Sequence, residues 1–600
     1  MTETRTGPAF PVDEIPFSTY GSWFCFSRVV AQHARAQDLH LISHQTGLHP
    51  VLCLVPVDSA TGTRLGATVL ATPGMLSWEH PAGRIDLAYQ SPDTVRLRGT
   101  GTALRIESAA PQLTPFGGTY FYRDPVDGSY VFTSYETGRR YRVTLLRGRV
   151  EEVLGAQALG GADRQLVLAG EAGTEEDWEA AIEELDNTRA PFTAASEFDA
   201  VVAAVRESFA AFVDEVAPWR LPDTPAAELA AYVLWSATVR PAGFLARPGV
   251  LMSKHWMDKV WSWDHCFNAL ALAGGRPLLA LDQFSLPFDH QDETGALPDS
   301  VTHSEVLYNF VKPPIHGWTV HNLRRRVAEP LSHEELAELH DKLARWTAFW
   351  LEHRRAPGSR LPHYQHGNDS GWDNATIFDP ARVVVTADLA AFLVLQLHEL
   401  ADLATELGRH EQAAAWRGTA AETQTAMIEE LWNGEGFLAR AADADADADT
   451  DADDTWTSRS LLQLMPIVLG DHLPEEVSTV LARRIEEHLT AYGLATEAPD
   501  SPHYQDDGYW RGPIWAPSTV LIEDGLRRAG QVELADEISA RFRALCETSG
   551  FAENFDARTG AGLRDRAYTW TAAAYLLLAE AHAGRRELAL LTDLGGTLPR

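Results

Sequence analysis

Two periodicities divide the chain. Up to about residue 170, apolar residues come in short runs rich in β-branched and aromatic side chains, such as GSWFCFSRVV, DLHLISH, PVLCLVPVD, YVFTSYE and RRYRVTLLRGRVEEVL, with turn residues between them. Such runs predict an antiparallel β-sandwich over residues 1–170. From 171 to 225 the text becomes acidic and alanine-rich (EEDWEAAIEELDN, ASEFDAVVAAVRESFAAFVDEV) and closes on APWRLPDTP, which predicts a helical linker. Beyond 225, apolar residues recur at i, i+3, i+4 and i+7. Amphipathic helices are expected at about 226–241, 260–274, 277–287, 316–328, 333–355, 384–407, 409–431, 456–469, 475–489, 514–528, 532–548 and 568–584. Twelve helices joined by very unequal connections suit six hairpins closed into an (α/α)6 barrel over residues 226–600. The expected fold class is therefore mostly α with an N-terminal β domain, the long loops gathering at one end of the barrel to build a site.

Length agrees, because 600 residues exceed what one hydrophobic core usually serves. The formal charge of -34 argues against nucleic acid or an anionic membrane as partner and leaves a neutral substrate unaffected. Lysine is limited to Lys254, Lys259, Lys312 and Lys342. Cys25, Cys53, Cys266 and Cys546 lack disulfide-framework or metal-ligand spacing and read as free core thiols. The first residues carry neither a basic start nor an apolar stretch of signal-peptide length, which makes a cytoplasmic protein the expectation. Residues 442–455 (ADADADADTDADDT) have nothing to bury and lack the glycine and terminal glutamate of an EF-hand loop, so a solvated loop is expected over a calcium site.

Unusual residue combinations concentrate in four loop stretches: HWMDKVWSWDHCFNAL (255–270), HGNDSGWDNATIFD (366–379), GYWRGPIWAP (508–517) and FAENFDARTG (551–560). The second sets Asp369, Asp373 and Asp379 around a Gly-Trp bend, so at least one carboxyl lies against aromatic surface. Desolvation there raises a carboxyl pKa, as a general acid near neutral pH requires. The fourth holds Glu553 between Phe551 and Phe555, where an ionised carboxylate can take a proton from water. Most of the eighteen tryptophans lie after residue 255, and Trp261, Trp263, Trp372, Trp510 and Trp515 fall inside the four stretches. Indole faces hold sugar C–H faces, and Gly- and Pro-containing loops bury little, so these rings read as sugar-binding surfaces. Trp346, Trp350 and Trp416, on helix faces, read as core.

At these residues the chain resembles the inverting glycoside hydrolases of families 63 and 37, which include mannosylglycerate and glucosylglycerate hydrolases, processing α-glucosidases and trehalases. The resemblance covers roughly residues 250–585. SGWDNATIFD is similar to the acid segment of these families, which puts the general acid on Asp373; AENFD followed by YTWTAA (568–573) is similar to their base segment, which puts the general base on Glu553. WSWD resembles the part that grips the sugar in the innermost subsite, implying Trp261, Trp263 and Asp264 as binding residues, and Trp372 lies beside the acid. GYWRGPIW implies Tyr509, Trp510, Arg511 and Trp515. Two positions depart from the pattern: Asp369 stands where relatives commonly have glutamate, and Lys312 in KPPIHGW (312–318) where they have glutamine. Lys312 reads equally as a contact to an anionic aglycone or as a partner of a neighbouring carboxylate. His316 is a possible ligand-facing residue, although a histidine opening a helix is more often structural.

The resemblance implies an exo-acting, α-glucosidase-like inverting hydrolase of an α-linked disaccharide, short oligosaccharide or glucosyl or mannosyl conjugate, with no metal and no cofactor. Two carboxyls roughly 6.5–9.5 Å apart would admit a water between themselves and the scissile bond. An inverting disaccharide phosphorylase is the alternative enzyme; it would need no base glutamate and would want a cationic phosphate pocket. A catalytically inactive glycan-binding protein is the alternative outside enzymes.

Overall fold

The computed structural model describes residues 7–156, 163–171, 177–442 and 455–593, so positions 443–454 of the Asp-Ala stretch lie outside the described residues. Contacts along the chain separate two compact units: Met1–Pro218 with Ala231–Lys259 and Thr302–Glu305, and Trp219–Ala230 with Val260–Val301 and Val306–Arg600.

The first unit is built on two antiparallel sheets. One has six strands, in the order Phe24–Ala31, Ala34–Ser43, His49–Val57, Ala103–Ser108, Gln165–Ala169 and Arg149–Leu154. The other has eight, in the order Thr68–Thr72, Met75–His80, Gly83–Ser91, Thr94–Thr100, Asp177–Leu185, Arg140–Arg147, Tyr130–Ser134 and Thr119–Arg123. The strand Asp177–Leu185 corrects the sequence reading, which put EEDWEAAIEELDN in a helical linker. Its Glu and Ala favour helix locally, but it pairs with Thr94–Thr100 on one side and Arg140–Arg147 on the other, with Trp178, Ala180 and Ile182 buried. Its acids are satisfied inside: Glu183 meets Arg142 at 2.6 Å, and Glu184 accepts from Tyr141 at 3.0 Å and Gln45 at 2.9 Å. Burial and pairing thus override propensity. Among the described residues of the expected linker, Phe198–Val216 alone is helical, as α1, and it packs on Gly83–Ser91.

All twelve expected helices form, one of them as a 3-10 helix. They are α2 (Ala227–Ala237), α3 (Asp264–Leu272), α4 (Pro277–Ser285), α5 (His316–Arg326), α6 (His333–Ala348), α7 (Ala387–Glu406), α8 (His410–Leu431), the 3-10 helix Leu461–His472, α9 (Glu475–Glu486), α10 (Ala516–Arg528), α11 (Val532–Ser549) and α12 (Thr569–Asp593). Sequence explains several ends: Ser332 and Glu335 close a capping box on α6, and Pro466 and the left-handed Gly470 keep Leu461–His472 from winding as a regular α-helix. In the second unit α3 packs on α5, α5 on α7, α7 on Leu461–His472, that segment on α10, α10 on α12, and α12 back on α3. Helices α4, α8, α9 and α11 pack against members of this cycle. All four cysteines are buried and unpaired. Among the described residues no helix is long and apolar enough to cross a membrane.

Candidate active site

The N-terminal ends of α3 and α10 and the segment that follows α11 bring three of the four sequence stretches to one place, with the Tyr568 N–H at the start of α12 on the Phe551 carbonyl at 2.8 Å, and the loop 366–379 joins them. Asp264 is the first residue of α3, Trp515 caps α10, and Tyr568 immediately precedes α12. The acid-bearing loop is held by close backbone approach. Gly371 is left-handed (φ 75°), and a Cβ there would stand 2.5 Å from the Trp263 ring; a Cβ on Gly367 would stand 2.3 Å from the carbonyl oxygen of Asp373. Asn374, next to Asp373, then ties this loop to GYWRGPIW. Its side chain accepts from the Trp510 N–H at 3.0 Å and donates to the Gly508 carbonyl at 3.0 Å. Arg511 donates to the Asn374 carbonyl at 2.6 Å and pairs with Asp379 at 2.6 Å.

The carboxyls gathered here act on one another electrostatically. Burial pushes Glu553 up to about 8, Asp565 adds to the push, Arg564 pulls back, and Asp373 contributes a further rise. Asp373, half-buried, is also raised by burial; Lys312 opposes that and Asp299 reinforces it. Asp264 is pushed up to about 8 by burial, against Lys312 and with help from Asp299 and Asp373. Its Oδ2 is buried without a hydrogen-bond partner among the described residues, and such an oxygen is costly unless a ligand supplies a donor. Neither Asp373 nor Glu553 forms an ion pair among the described residues. Burial, then the nearby Glu553 carboxylate, hold the phenols of Tyr509 and Tyr568 well above their usual range, so both remain protonated donors.

Other residues singled out from sequence play supporting parts. Lys312 is buried and spent on the protein, meeting Asp299 at 3.1 Å and the Asn368 carbonyl at 3.0 Å. Burial opposes its charge, and Asp299, Asp373 and Asp264 outweigh that, so its pKa is raised. Asp369 is 1% exposed, with one oxygen accepting from the Val311 N–H and the other from Arg354 at 2.7 Å and the Gln365 N–H at 2.9 Å. Both its oxygens are thus engaged in bracing its loop. His316 is fully buried, its Nε2 on the Ser262 carbonyl and its Nδ1 accepting from the Trp346 indole, which corrects its reading as ligand-facing.

The tryptophans correct a second expectation. Trp263, Trp372, Trp510 and Trp515 are all buried, with Trp510 and Trp515 stacked at 4.1 Å and Trp372 4.6 Å from Trp510. Trp570 joins Trp263 and Trp515 edge to face. These rings form an aromatic floor and hold the loops by packing on one another. Only Trp261, in the short strand Val260–Trp261 paired to Ser300–Val301, keeps part of its surface open. The front of the stretch 255–270 belongs to the first unit, where Asp258 meets His44 at 3.1 Å; the preceding Lys254 is buried there on Ser18 and Ser22.

Four residues with a part in the electrostatics escaped sequence reading: Asp299, Arg564, Asp565 and Tyr568. Arg564 and Tyr509 are both non-glycine residues in the left-handed region (φ 57° and 64°), and the guanidinium lies 4.9 Å over the Tyr509 ring. Arg564 also donates to Asn554, the neighbour of Glu553, at 2.9 Å and pairs with Asp507 at 2.7 Å. The Asp565 carbonyl accepts the Glu553 N–H at 2.7 Å. Only the YTWTAA string hinted at any of them.

Clustered buried carboxyls beside protonated phenols and an open indole are the equipment of an enzyme that cleaves sugars. The model of the mannosylglycerate hydrolase MGH1-like glycoside hydrolase domain matches residues 257–571, more than half of the chain. The chain belongs to this family and is a glycoside hydrolase. It is 23% identical over 423 residues to the mannosylglycerate hydrolase of Rubrobacter radiotolerans, covering 56% of this chain and 92% of that protein. Its fold is like that of a bacterial glucoamylase solved with acarbose (TM-score 0.60, 10% identity, 96% of each chain). It is also like that of the family 63 mannosylglycerate hydrolase of Thermus thermophilus solved with Tris and D-glycerate (TM-score 0.50, 22% identity, 58% of this chain and 98% of that one).

Proposed function

We propose that the protein is an inverting, exo-acting α-glycosidase whose general acid is Asp373 and general base Glu553, acting on an α-linked hexosyl conjugate of the hexosylglycerate type. Asp373, protonated, gives its proton to the glycosidic oxygen as the C–O bond breaks. Glu553, ionised, takes a proton from a water that attacks the anomeric carbon from the opposite face, so an α-glycoside releases a β-hexose and the free alcohol. The unpaired oxygen of Asp264 accepts from a sugar hydroxyl, Trp261 offers ring surface, and Tyr509 and Tyr568 donate toward the reacting centre. The observation that carries this reading is the electrostatic influence of Asp373 on Glu553, residues 180 positions apart, with neither in an ion pair among the described residues. The closed cycle of six helices in the second unit supports an (α/α)6 barrel, and the two sheets of the first support a β-sandwich.

The substrate class follows from the name of the Rubrobacter relative. Lys312 does not serve as the aglycone's cation in this reading, because Asp299 already holds it. Hydrolysis is favoured over phosphorolysis for a related reason: Lys312 and Arg564, the lysine and arginine that act on Asp373 and Glu553, are each paired with a carboxylate.

Free hexose released from a panel of α-disaccharides and mannosyl and glucosyl glycerates tests the substrate, and proton NMR of the first anomer formed tests the stereochemistry. Asp373→Asn and Glu553→Gln are each expected to lose about a thousandfold or more in kcat, near the upper end of what general acid–base catalysis contributes, with unchanged circular dichroism. A first-formed α-anomer, or either variant keeping near-normal turnover, would overturn the assignment.

A further inference from the structure

A second cleft in the same unit, of about 790 Å3, has neither Asp373 nor Glu553 in its wall. Its size falls within the range of small-molecule sites, about 300–1,000 Å3. One wall is Trp456, half-buried, its indole N–H fixed on the Ile377 carbonyl at 2.9 Å. No aromatic ring stacks on it among the described residues. The opposing chemistry is cationic. Arg484 on α9 reaches the cleft because position 436 is glycine; a Cβ there would stand 2.0 Å from the guanidinium Nη1. Its one hydrogen bond among the described residues is a long one, 3.4 Å, to the Glu435 carbonyl, and it has no ion pair there. Burial, and then Arg459 and Arg483 against Glu487, depress its pKa, as three convergent guanidinium groups would. Arg483 likewise has no ion pair among the described residues.

Among the described residues the carboxylates in the wall do not balance this charge. Glu487 is taken by Arg459 at 3.0 Å and Asp379 by Arg511 at 2.6 Å, leaving Glu435 against two arginines. Hydroxyls complete the lining: Ser458 and Thr376 meet at 2.7 Å, and Thr376 and Ser501 both donate to the buried Glu497, at 2.7 Å and 2.6 Å. An indole face and guanidinium forks without a partner among the described residues, together with fixed hydroxyls, match a sugar ring that carries an acid group. The cleft also borders the catalytic loop, since Thr376 and Asp379 lie three and six residues beyond Asp373, and Asp379 is tied through Arg511 to the Asn374 carbonyl.

We propose that this cleft is an effector site for an anionic hexose, its ring on Trp456 and its phosphate or carboxylate on Arg484 and Arg483, acting on hydrolysis through the segment that carries Asp373. Calorimetric titration of the whole protein with glucose 6-phosphate, glucuronate, glucose and inorganic phosphate tests it, with Glu553→Gln as host so that no turnover contributes heat. Binding of at least one anionic sugar, tenfold or more tighter than glucose and than inorganic phosphate, is expected. Trp456→Ala, Arg484→Met and the exposed Arg483→Gln should each weaken it at least severalfold. In otherwise wild-type enzyme the same ligand should change kcat/KM at least twofold, and Arg484→Met should abolish that response while leaving the rate without ligand unchanged. The proposal is overturned if neither anionic sugar binds at 10 mM, if glucose or inorganic phosphate binds as well, or if all three variants bind like the parent. Binding without any effect on hydrolysis would overturn the effector role. Because the binding arm uses protein without the proposed base, its outcome is independent of the catalytic assignment.

Discussion

At the scale of single residues, the pH response of the enzyme depends on what surrounds Glu553. As the proposed base, Glu553 must be ionised, so kcat/KM is expected to fall at acid pH, and burial with Asp565 holds its pKa up to about 8. Activity on a neutral substrate is therefore expected to follow a bell in pH, lost on one side as Glu553 takes a proton and on the other as Asp373 gives one up. Arg564 opposes the rise; taking its charge away leaves Glu553 harder to ionise and should move the acidic limb to higher pH. Arg564→Met is expected to show that displacement in the pH profile of kcat/KM, and Arg564→Lys to restore part of it. A limb that stays in place would separate Arg564 from the base and leave it as a brace for Tyr509. Because Asp373, Asp264 and Glu553 interact, the limbs report the group of carboxyls and not one residue alone.

Among the elements, glycine marks where helices come closest. A Cβ on Gly317 of α5 would stand 2.2 Å from the Gln396 Cα of α7, and one on Gly525 of α10 would stand 2.4 Å from the Ile467 carbonyl oxygen. Both contacts belong to the helix cycle beneath the site. Gly317→Ala must push α5 and α7 apart and is expected to cost about 1–3 kcal/mol, the usual penalty for overpacking, read as a lower midpoint in chemical denaturation. Stability equal to wild type would mean the two helices separate freely. Helix positions were legible because apolar residues recur at helical spacing along the chain, although α3 and most of Leu461–His472 are buried on every side. The strand Asp177–Leu185 was not legible, since its sequence lacks a strand's alternation and its acids can be buried there only because Arg142, Tyr141 and Gln45, distant along the chain, satisfy Glu183 and Glu184.

For the whole molecule, charge sets the response to salt. An excess of 34 negative charges repels itself across the folded surface, and screening shortens from about 30 Å at 0.01 M salt to about 10 Å at 0.1 M. Many surface ion pairs are weakened by the same screening, but each contributes little, roughly 0–1 kcal/mol. The thermal midpoint is therefore expected to rise by roughly a few degrees between 0.01 and 0.3 M sodium chloride, on the usual relation of a few degrees per kcal/mol; a fall would show that the ion pairs outweigh the repulsion.

The amino-acid order alone determined the helix series, the β-rich start and the four loops in which Asp373, Glu553, Asp264 and Trp261 were found, because apolar period and local residue chemistry are written along the chain. Contacts between distant positions decided the rest. Whether an indole faces a sugar or another indole depends on what folds against it, and Trp263, Trp372, Trp510 and Trp515 turned to each other. The same holds for Lys312, claimed by Asp299, and for Arg564, whose hold on Glu553 comes from a left-handed turn packed over Tyr509. Charge acts through space, so the neighbours that set each pKa existed only once the chain had folded.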